Sequence, residues 1–218
     1  MDPSWGLGTK VTRSVSNDRD YSWYVDQMTT GRNDIKNCGP SVVAMASKWQ
    51  DKNSTLKTRD IVDKYIPEGT SFAGVYQYTL YTWLKENNVI ISSISEITEE
   101  SLISELDKGN ILIVGLDMKD IKYNPNTTQR VGEYFDFSMV YGKVSHYVIV
   151  KGYKEVDNTM YFETYDPFSA SQTYSDGQLI GKDRYYASDE FIKAICEYKE
   201  YSSSYTDWTD VIVIKETK

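Results

Sequence analysis

The sequence has only one histidine and two cysteines among its 218 residues. Cys38 and Cys196 lie far apart, and they fit neither a dense disulfide framework nor the short ligand spacing of a zinc site. The single histidine, His146, adds no cluster of metal ligands to them. We therefore expect no metal site, and the cysteines leave the redox compartment open.

Basic clusters and long apolar runs are also missing. The 24 Lys and Arg residues are outnumbered by 32 Asp and Glu residues, which gives a net charge of -8. This charge repels phosphate backbones, so a nucleic-acid partner is not expected. The longest apolar runs, at 111–116 and 147–150, are far shorter than the ~20 residues needed to cross a bilayer. No membrane span is predicted, and no Walker loop or dinucleotide-binding motif is present.

The N-terminus, M-D-P-S-W-G-L-G-T-K, lacks the basic segment and apolar stretch of a secretory signal. Two interpretations stay open: a cytoplasmic protein, or a mature or truncated form of an exported one. The composition is that of a globular protein, with 40% hydrophobic and 26% charged residues. The length favours a single domain over 24–218, preceded by an N-terminal arm over 1–23.

Helical spacing dominates the first half of the chain and a period near two dominates the second. Helices are predicted over 39–51, over 58–64 with Thr58 as N-cap, over 75–87, from Thr98 to Gly109, and over 189–198 with Ser188 as N-cap. Strands are predicted over 111–116, 147–153, 160–165 and 211–214. Helices followed by strands predict an α+β fold with a mainly antiparallel sheet.

The stretch N-C-G-P-S-V-V-A-M places Cys38 at the start of the first predicted helix. Unpaired N–H groups and the positive end of the helix dipole favour a thiolate there, the form that attacks a carbonyl carbon. Gly39, which has no Cβ, would let substrate or backbone approach the sulfur. The alternative is a buried cysteine that merely begins a helix. Cys196 is interpreted in that way, as a buried inert thiol on the apolar side of its helix.

A nucleophilic thiol needs a base, and His146 is the only histidine. It precedes the predicted strand 147–153, where a side chain at a strand end can reach a cleft. A hairpin turn centred near residue 156 would set position 146 opposite Asp166, which could orient the imidazole. A slip of a residue or two in this register is left open.

An acyl-transfer site also needs donors for its oxyanion. Gln27, in W-Y-V-D-Q-M, could bring its side-chain amide beside Cys38 if the residues between them form a loop. The backbone N–H of Cys38 would be the second donor. Taken alone, Gln27 would be interpreted as an ordinary surface residue.

The order Gln27, Cys38-Gly39-Pro40, His146-Tyr147, Asp166-Pro167 resembles the papain-like cysteine peptidases. It is most similar to the bacteriocin-leader-processing peptidases and their stand-alone bacterial relatives, called C39-like. In that family the histidine opens a strand of the form H-Y-V-V-V-x-G-Y and an Asp-Pro ends the next strand. This chain has H-Y-V-I-V-K-G-Y and Y-D-P, and the resemblance covers 24–214.

The resemblance implies a papain-like fold, with the nucleophile helix packed on a mainly antiparallel sheet. It implies Cys38 as nucleophile, His146 as general base and then acid, Asp166 as the residue that orients the imidazole, and Gln27 as oxyanion donor. The implied reaction is hydrolysis of a peptide or protein substrate through a thioester acyl-enzyme, with no metal or organic cofactor. Stand-alone members are often exported, so a secreted or cell-envelope location is favoured over the cytoplasm, and a monomer is favoured.

Two features depart from the leader-processing enzymes. The chain shows neither membrane spans nor a Walker loop, so leader cleavage is not supported. The segment 117–145 is longer than an ordinary loop, and we hypothesise a loop or hairpin insertion that forms a flap beside the cleft. A surface elaboration unrelated to substrate is an equal alternative. Two alternatives to a peptidase stay open: a transpeptidase or acyl transferase with the same residues, and a non-catalytic module that binds peptides or cell-wall fragments.

Overall fold

The computed structural model describes residues 5–69, 74–140, 142–203 and 209–217. Within these ranges the chain forms five α-helices and seven strands. The helices are α1 (Cys38–Gln50), α2 (Thr58–Tyr65), α3 (Gln77–Glu86), α4 (Glu99–Asp107) and α5 (Ser188–Ser203). The strands are β1 (Val11–Ser16), β2 (Ile91–Ile94), β3 (Ile111–Asp117), β4 (Ser145–Val156), β5 (Thr159–Tyr165), β6 (Lys182–Ala187) and β7 (Val211–Ile214).

The strands form one sheet in the order β2-β7-β3-β4-β5-β6, and every pairing is antiparallel. The long strand β4 organises this sheet. One edge of β4 pairs with β5, while its other edge pairs with β3 along 145–150 and with β1 along 152–156. The N-terminal segment is therefore tied into the sheet by β1, a strand that the sequence pattern did not predict.

Helices cover both faces of the sheet because side chains along its buried strands alternate between two cores. Ile111 and Ile113 of β3 belong to the core shared with α1, α2 and α3. Leu112 and Val114 belong to the core shared with α4 and α5. All four are fully buried, and each contributes about 1.5–3 kcal/mol relative to an exposed side chain.

The first helix, α1, is buried along nearly its whole length and packs against β4. Gly39 permits this packing: a Cβ there would lie 2.6 Å from Cγ2 of Val75 and 3.1 Å from Cδ2 of Leu80. The glycine thus allows α1 to approach two side chains of its own fold. The expectation that Gly39 leaves room for substrate is not what its surroundings show.

The predicted α+β class with a mainly antiparallel sheet is confirmed. The helices predicted over 39–51 and 75–87 appear as α1 and α3, Thr98 caps α4 by accepting a hydrogen bond from the N–H of Ser101, and β7 has the predicted bounds. Besides β1, the strands β2 and β6 were not predicted. Both are rich in polar residues, and their pairing with neighbouring strands decides their conformation rather than local propensity.

Two local predictions are wrong. Thr58 is not an N-cap: Lys57 occupies that position, and the buried Thr58 hydroxyl donates to the Ser41 hydroxyl instead. Cys196 is an exposed free thiol rather than a buried one. The buried stripe of α5 runs through Phe191, Ala194, Ile195 and Tyr198, and Cys196 points away from that stripe.

In the part of the chain that the structure describes, no helix is both long and apolar enough to span a membrane.

Candidate active site

Cys38 is the first residue of α1 and is partly exposed in a cavity of about 240 Å³. The N-cap residue, Asn37, makes no capping hydrogen bond with its side chain. Its amide instead donates to the hydroxyl of Thr30 and to the carbonyl of Arg32. The N–H groups of the first turn are therefore left unused by the cap, which keeps the positive end of the helix next to the thiol.

His146 and Asp166 form a buried pair beside this thiol. The ring nitrogen Nε2 of His146 lies 2.7 Å from Oδ1 of Asp166. Cys38 lies close to the same ring: both residues line the cavity, and Cys38 is among the groups that raise the pKa of His146. Because Nε2 is engaged by the carboxylate, the nitrogen left for the thiol is Nδ1. The structure thus places Cys38 and His146 in the wall of one cavity, with Asp166 hydrogen-bonded to the imidazole.

The β4–β5 hairpin brings His146 and Asp166 together in a register that differs from the predicted one. The turn is made by Asp157 and Asn158, both with positive φ, and a bulge follows between Val150 and Gly152. Ile149 then pairs with Tyr165, and continuing that register sets Asp166 opposite position 148 rather than 146. The predicted register is therefore wrong by two residues. An error of two keeps the same face of the sheet, and side chains reach such diagonal neighbours.

The carboxylate of Asp166 is held by donors on both oxygens. Oδ1 accepts from the N–H of Phe168 at 2.7 Å as well as from His146, and Oδ2 accepts from the hydroxyl of Tyr186 at 3.1 Å. The backbone of Asp166 is fixed by its N–H bond to the carbonyl of Gly181 at 2.8 Å. A Cβ at Gly181 would lie 2.0 Å from the Asp166 carbonyl oxygen. Only glycine therefore fits this close approach.

Aromatic rings cover the His146–Asp166 pair. The ring of Phe168 lies edge-on to the imidazole, with centroids 6.4 Å apart, and the ring of Phe135 packs on Phe168 at 4.6 Å. As a result the side chain of His146 is only 11% exposed. Excluding water in this way strengthens the hydrogen bond between ring and carboxylate.

Two opposing effects act on the pKa of His146. Burial of the ring lowers it, but the Asp166 carboxylate and the contact with Cys38 raise it, and the result is a pKa well above the usual 6.5. A raised folded-state pKa stabilises the fold fully below the unfolded value of ~6.5, and this stabilisation is lost as pH rises through the folded value. The Asp166 carboxylate therefore favours the charged form of the His146 ring.

Gln27 lies in the wall of the same cavity. Its backbone N–H donates to the carbonyl of Pro167 at 2.8 Å, which ties it to the loop that follows Asp166. Its side chain is buried, and Nε2 donates to the carbonyl of Asp34 at 3.0 Å. A side-chain amide carries two N–H donors, so one remains after this bond. The position of Gln27 is compatible with the predicted oxyanion role, which stays a prediction.

The cavity wall is otherwise largely apolar. Its lining residues are Gln27, Ile35, Lys36, Cys38, Gly74, Phe137, Val144, Ser145, His146 and Phe168. Phe137 and Val144 come from the segment 117–145, so this segment does contribute to the cleft. Whether it moves as a flap stays a prediction. Phe135, which belongs to the same segment, lies against Phe168.

Glu133 and Tyr186 are residues of the site that the sequence pattern did not reveal. The Tyr186 hydroxyl lies 3.1 Å from Oδ2 of Asp166 and 3.1 Å from Oε2 of Glu133. Both side chains are buried. The only sequence signal for Glu133 is an acidic residue in the aromatic run G-E-Y-F, and nothing local links it to Asp166.

Comparison with known proteins places this geometry in a family. The model of the peptidase C39-like family matches residues 20–207. The fold is similar to that of a Bacillus anthracis protein assigned to the C39-like peptidases, with a TM-score of 0.58 and 13% identity over 94% of this chain and 99% of that one. It is also similar to digestive procathepsin L 3 of the Tenebrio molitor larval midgut, with a TM-score of 0.56 and 11% identity over 94% of this chain and 70% of that one.

No curated protein matches this chain in sequence. The two structural neighbours share too little identity to show more than the fold, which is the α+β fold of the papain-like cysteine peptidases. The family match is a separate finding, and it spans the cysteine, the histidine and the aspartate described above. The chain belongs to the peptidase C39-like family.

Proposed function

We propose that this protein is a cysteine peptidase that hydrolyses peptide bonds through a thioester acyl-enzyme. The observation that carries the proposal is that Cys38, at the start of α1, and His146, hydrogen-bonded to Asp166, line the same accessible cavity. Such an arrangement supplies a nucleophile, a proton carrier and a group that orients the carrier.

In the first half of the proposed reaction, Sγ of the Cys38 thiolate attacks the carbonyl carbon of the scissile amide. The oxyanion that forms accepts hydrogen bonds from the backbone N–H of Cys38 and the remaining N–H of Gln27. The carbon–nitrogen bond then breaks, and the His146 imidazolium gives its proton to the leaving amine. The products are a free amine, a neutral imidazole and a thioester on Cys38.

In the second half, neutral His146 takes a proton from a water molecule as the water oxygen attacks the thioester carbonyl. The carbon–sulfur bond breaks, the acid product leaves, and the thiolate and imidazolium are restored. Asp166 keeps the ring oriented in both steps and stabilises its charged form. If an amine took the place of water the same steps would give acyl transfer, but the described cavity has no feature that favours an amine.

The apolar part of the cavity suggests the kind of substrate side chain that binds next to the scissile bond. Phe137, Val144 and Phe168 form an apolar wall beside Cys38 and His146. Burying a substrate side chain against such a wall contributes roughly 25 cal/mol for each Å² of apolar surface removed from water. We therefore propose a preference for peptides with a bulky apolar residue near the cleaved bond.

The Phe137→Ala variant tests this preference. We expect kcat/KM to fall about tenfold for peptides with a bulky apolar residue beside the scissile bond, because a benzyl contact of about 1.4 kcal/mol is lost. Peptides with glycine at that place should be affected little. The matched control is Tyr123→Ala, which removes an aromatic ring that is 46% exposed and lies outside this cavity. An equal loss for both classes of peptide would contradict an apolar subsite.

Activity itself is tested with a defined peptide mixture and mass spectrometry of the new N-termini. We expect cleavage products with the unaltered protein and none with Cys38→Ala. Products extended by an added amine nucleophile would identify an acyl transferase. Peptide binding without any product from the unaltered protein would identify a non-catalytic module and overturn the proposed function.

A further inference from the structure

We propose that Glu133 and Tyr186 are positioning residues for the Asp166–His146 pair, acting through one proton. A proton on Glu133 turns the hydroxyl of Tyr186 toward Asp166, and loss of that proton turns the hydroxyl away. The proposal rests on the proposed function, since it concerns the same carboxylate and imidazole.

The carboxyl groups of Asp166 and Glu133 face the same hydroxyl group. The Tyr186 hydroxyl has a single proton, yet it lies 3.1 Å from an oxygen of Asp166 and 3.1 Å from an oxygen of Glu133. It can donate to only one of them. Burial and the two nearby carboxyl groups raise the pKa of Tyr186 well above its usual value of 10, so the hydroxyl keeps its proton.

The surroundings of Glu133 favour one of its two oxygens, Oε2, as the site of the proton. Oε1 of Glu133 accepts the N–H of Phe135 at 2.9 Å, so this oxygen already faces a donor. Oε2 faces the Tyr186 oxygen. When the proton of neutral Glu133 lies on Oε2, Oε2 donates a hydrogen bond and the Tyr186 hydroxyl oxygen accepts it. The hydroxyl proton is then free to point at Oδ2 of Asp166, and both contacts are satisfied.

Ionisation of Glu133 changes the hydrogen bonding of the Tyr186 hydroxyl. When Glu133 is ionised, its Oε2 becomes an acceptor that competes with Asp166 for the same hydroxyl proton. One of two buried carboxylates then lacks a donor, which is costly for a charged group. Oδ1 of Asp166 keeps its bonds to His146 and to the N–H of Phe168, but Oδ2 loses its partner. The carboxylate is then free to tilt relative to the imidazole.

The charges around Glu133 indicate that it loses its proton within an accessible pH range. Burial and the Asp166 charge raise its pKa, while the Arg184 guanidinium, the N–H of Phe135 and His146 lower it, and the result is a pKa of about 6. Arg184 directs its own N–H groups to the carbonyls of Gly132 and Asn124 and to the Tyr174 hydroxyl.

The neighbouring charges of α5 are engaged elsewhere. Glu190 accepts the N–H of Lys122, and Lys193 pairs with Asp120. From α5 it is the Phe191 ring that packs on Tyr186, stacked with centroids 5.6 Å apart. The groups that bear on the proton of Glu133 are thus Asp166, Tyr186, Arg184 and His146.

Three variants separate the positioning role from a structural one. Glu133→Gln keeps an acceptor for Phe135 and puts an N–H donor toward Tyr186, which imitates protonated glutamate at every pH. Tyr186→Phe removes the hydroxyl and keeps the ring on Phe191. Glu190→Gln is the matched control, because Glu190 is a partly buried carboxyl group with a raised pKa that does not contact Asp166.

The first readout is the imidazole of His146, followed by NMR between about pH 4.5 and 8. Since the chain has one histidine, its Nε2–H resonance needs no assignment among competitors. We expect it to shift with a midpoint near pH 6 in the unaltered protein and in Glu190→Gln, and to lose that midpoint in Glu133→Gln and in Tyr186→Phe. A midpoint near pH 6 that persists in Glu133→Gln, or that is absent from the unaltered protein, would overturn the proposal.

The second readout is peptide hydrolysis over the same pH range. We expect kcat to fall about tenfold as Glu133 loses its proton, the effect of removing one hydrogen bond to a charged group, with KM nearly constant. Glu133→Gln should abolish this pH dependence, and Tyr186→Phe should show the lower kcat throughout. If the expected NMR response is seen but neither the unaltered protein nor any variant hydrolyses peptides, the proposed function is overturned and the positioning of Asp166 stands. If peptides are hydrolysed but the NMR response is absent, the positioning proposal is overturned and the proposed function stands.

Discussion

Replacing Cys38 with alanine is expected to lower kcat for peptide hydrolysis by about 10⁵-fold or more, because the thiol that forms the acyl-enzyme in the proposed reaction is removed. Removing the nucleophile of a comparable triad in a serine peptidase costs ~10⁶-fold in kcat. Stability should change little, since Cys38 is partly exposed at the first turn of α1. The measurement is kcat with a peptide that the unaltered protein cleaves.

The matched control is Cys196→Ala. Cys196 is the other free cysteine, exposed on α5 and outside the cavity, so its removal should leave kcat unchanged. Residual activity of Cys38→Ala above about one hundredth of the unaltered rate would show that the thiol is not the nucleophile.

The second large effect is expected for Asp166→Ala, which removes a carboxylate that three groups contact. His146, the N–H of Phe168 and the Tyr186 hydroxyl would each lose a partner in a buried place. We expect kcat to fall by about 10⁴-fold, the effect found when the orienting carboxylate of a serine-peptidase triad is lost. The free energy of unfolding should fall by about 3 kcal/mol, because buried groups are left unpaired.

Asp166→Asn separates orientation from charge. Its amide oxygen can still accept from His146 and Phe168, and its NH₂ group can donate to the Tyr186 oxygen, so most of the stability should return. The negative charge that raises the pKa of His146 is lost. We therefore expect the stability of Asp166→Asn to depend less on pH above ~6.5 than that of the unaltered protein. If kcat of Asp166→Ala stayed within twofold of the unaltered value, Asp166 would not be the orienting residue.

The fold class follows from sequence periodicity because its main elements have strong local signals. The helix after Cys38 and the strands that contain Ile111 and Tyr147 are long and apolar, and they lie in the centre of the structure. The strands β1, β2 and β6 lack such a signal. The partners of β1 and β2 come from distant parts of the chain, and β6 pairs with β5 across the long connection 166–181. A pattern of local residues does not contain that information.

Part of the site could be predicted from the sequence for a different reason. With one histidine in the chain, the candidate base for Cys38 was fixed by counting. The predicted contact between His146 and Asp166 is correct although the predicted register is not. The turn at Asp157 and Asn158, together with the bulge that follows, shifts the register by two residues, and a shift of two leaves Asp166 on the same face of the sheet. An error of one residue would have turned the side chain of Asp166 to the other face.

The residues behind Asp166 could not be predicted in this way. Glu133 comes from the long segment 117–145 and Tyr186 from β6, and they meet Asp166 only because β6 pairs with β5. The segment that the sequence suggested as a flap therefore has a second role in the structure. It carries Phe137 into the cleft and places Glu133 and Phe135 behind the His146–Asp166 pair.

Activation of Cys38 by His146 is tested most directly by the rate at which iodoacetamide alkylates each cysteine, measured at pH 6 by mass spectrometry. An ordinary thiol, with a pKa of about 8.5, is almost entirely protonated and slow at this pH. Because Cys38 and Cys196 are both free in the same chain, Cys196 serves as the internal reference. We predict that Cys38 reacts at least about tenfold faster than Cys196, and that His146→Ala abolishes this difference. A Cys38 that reacts no faster than Cys196, with a rate indifferent to His146→Ala, would contradict the central claim that His146 activates the thiol.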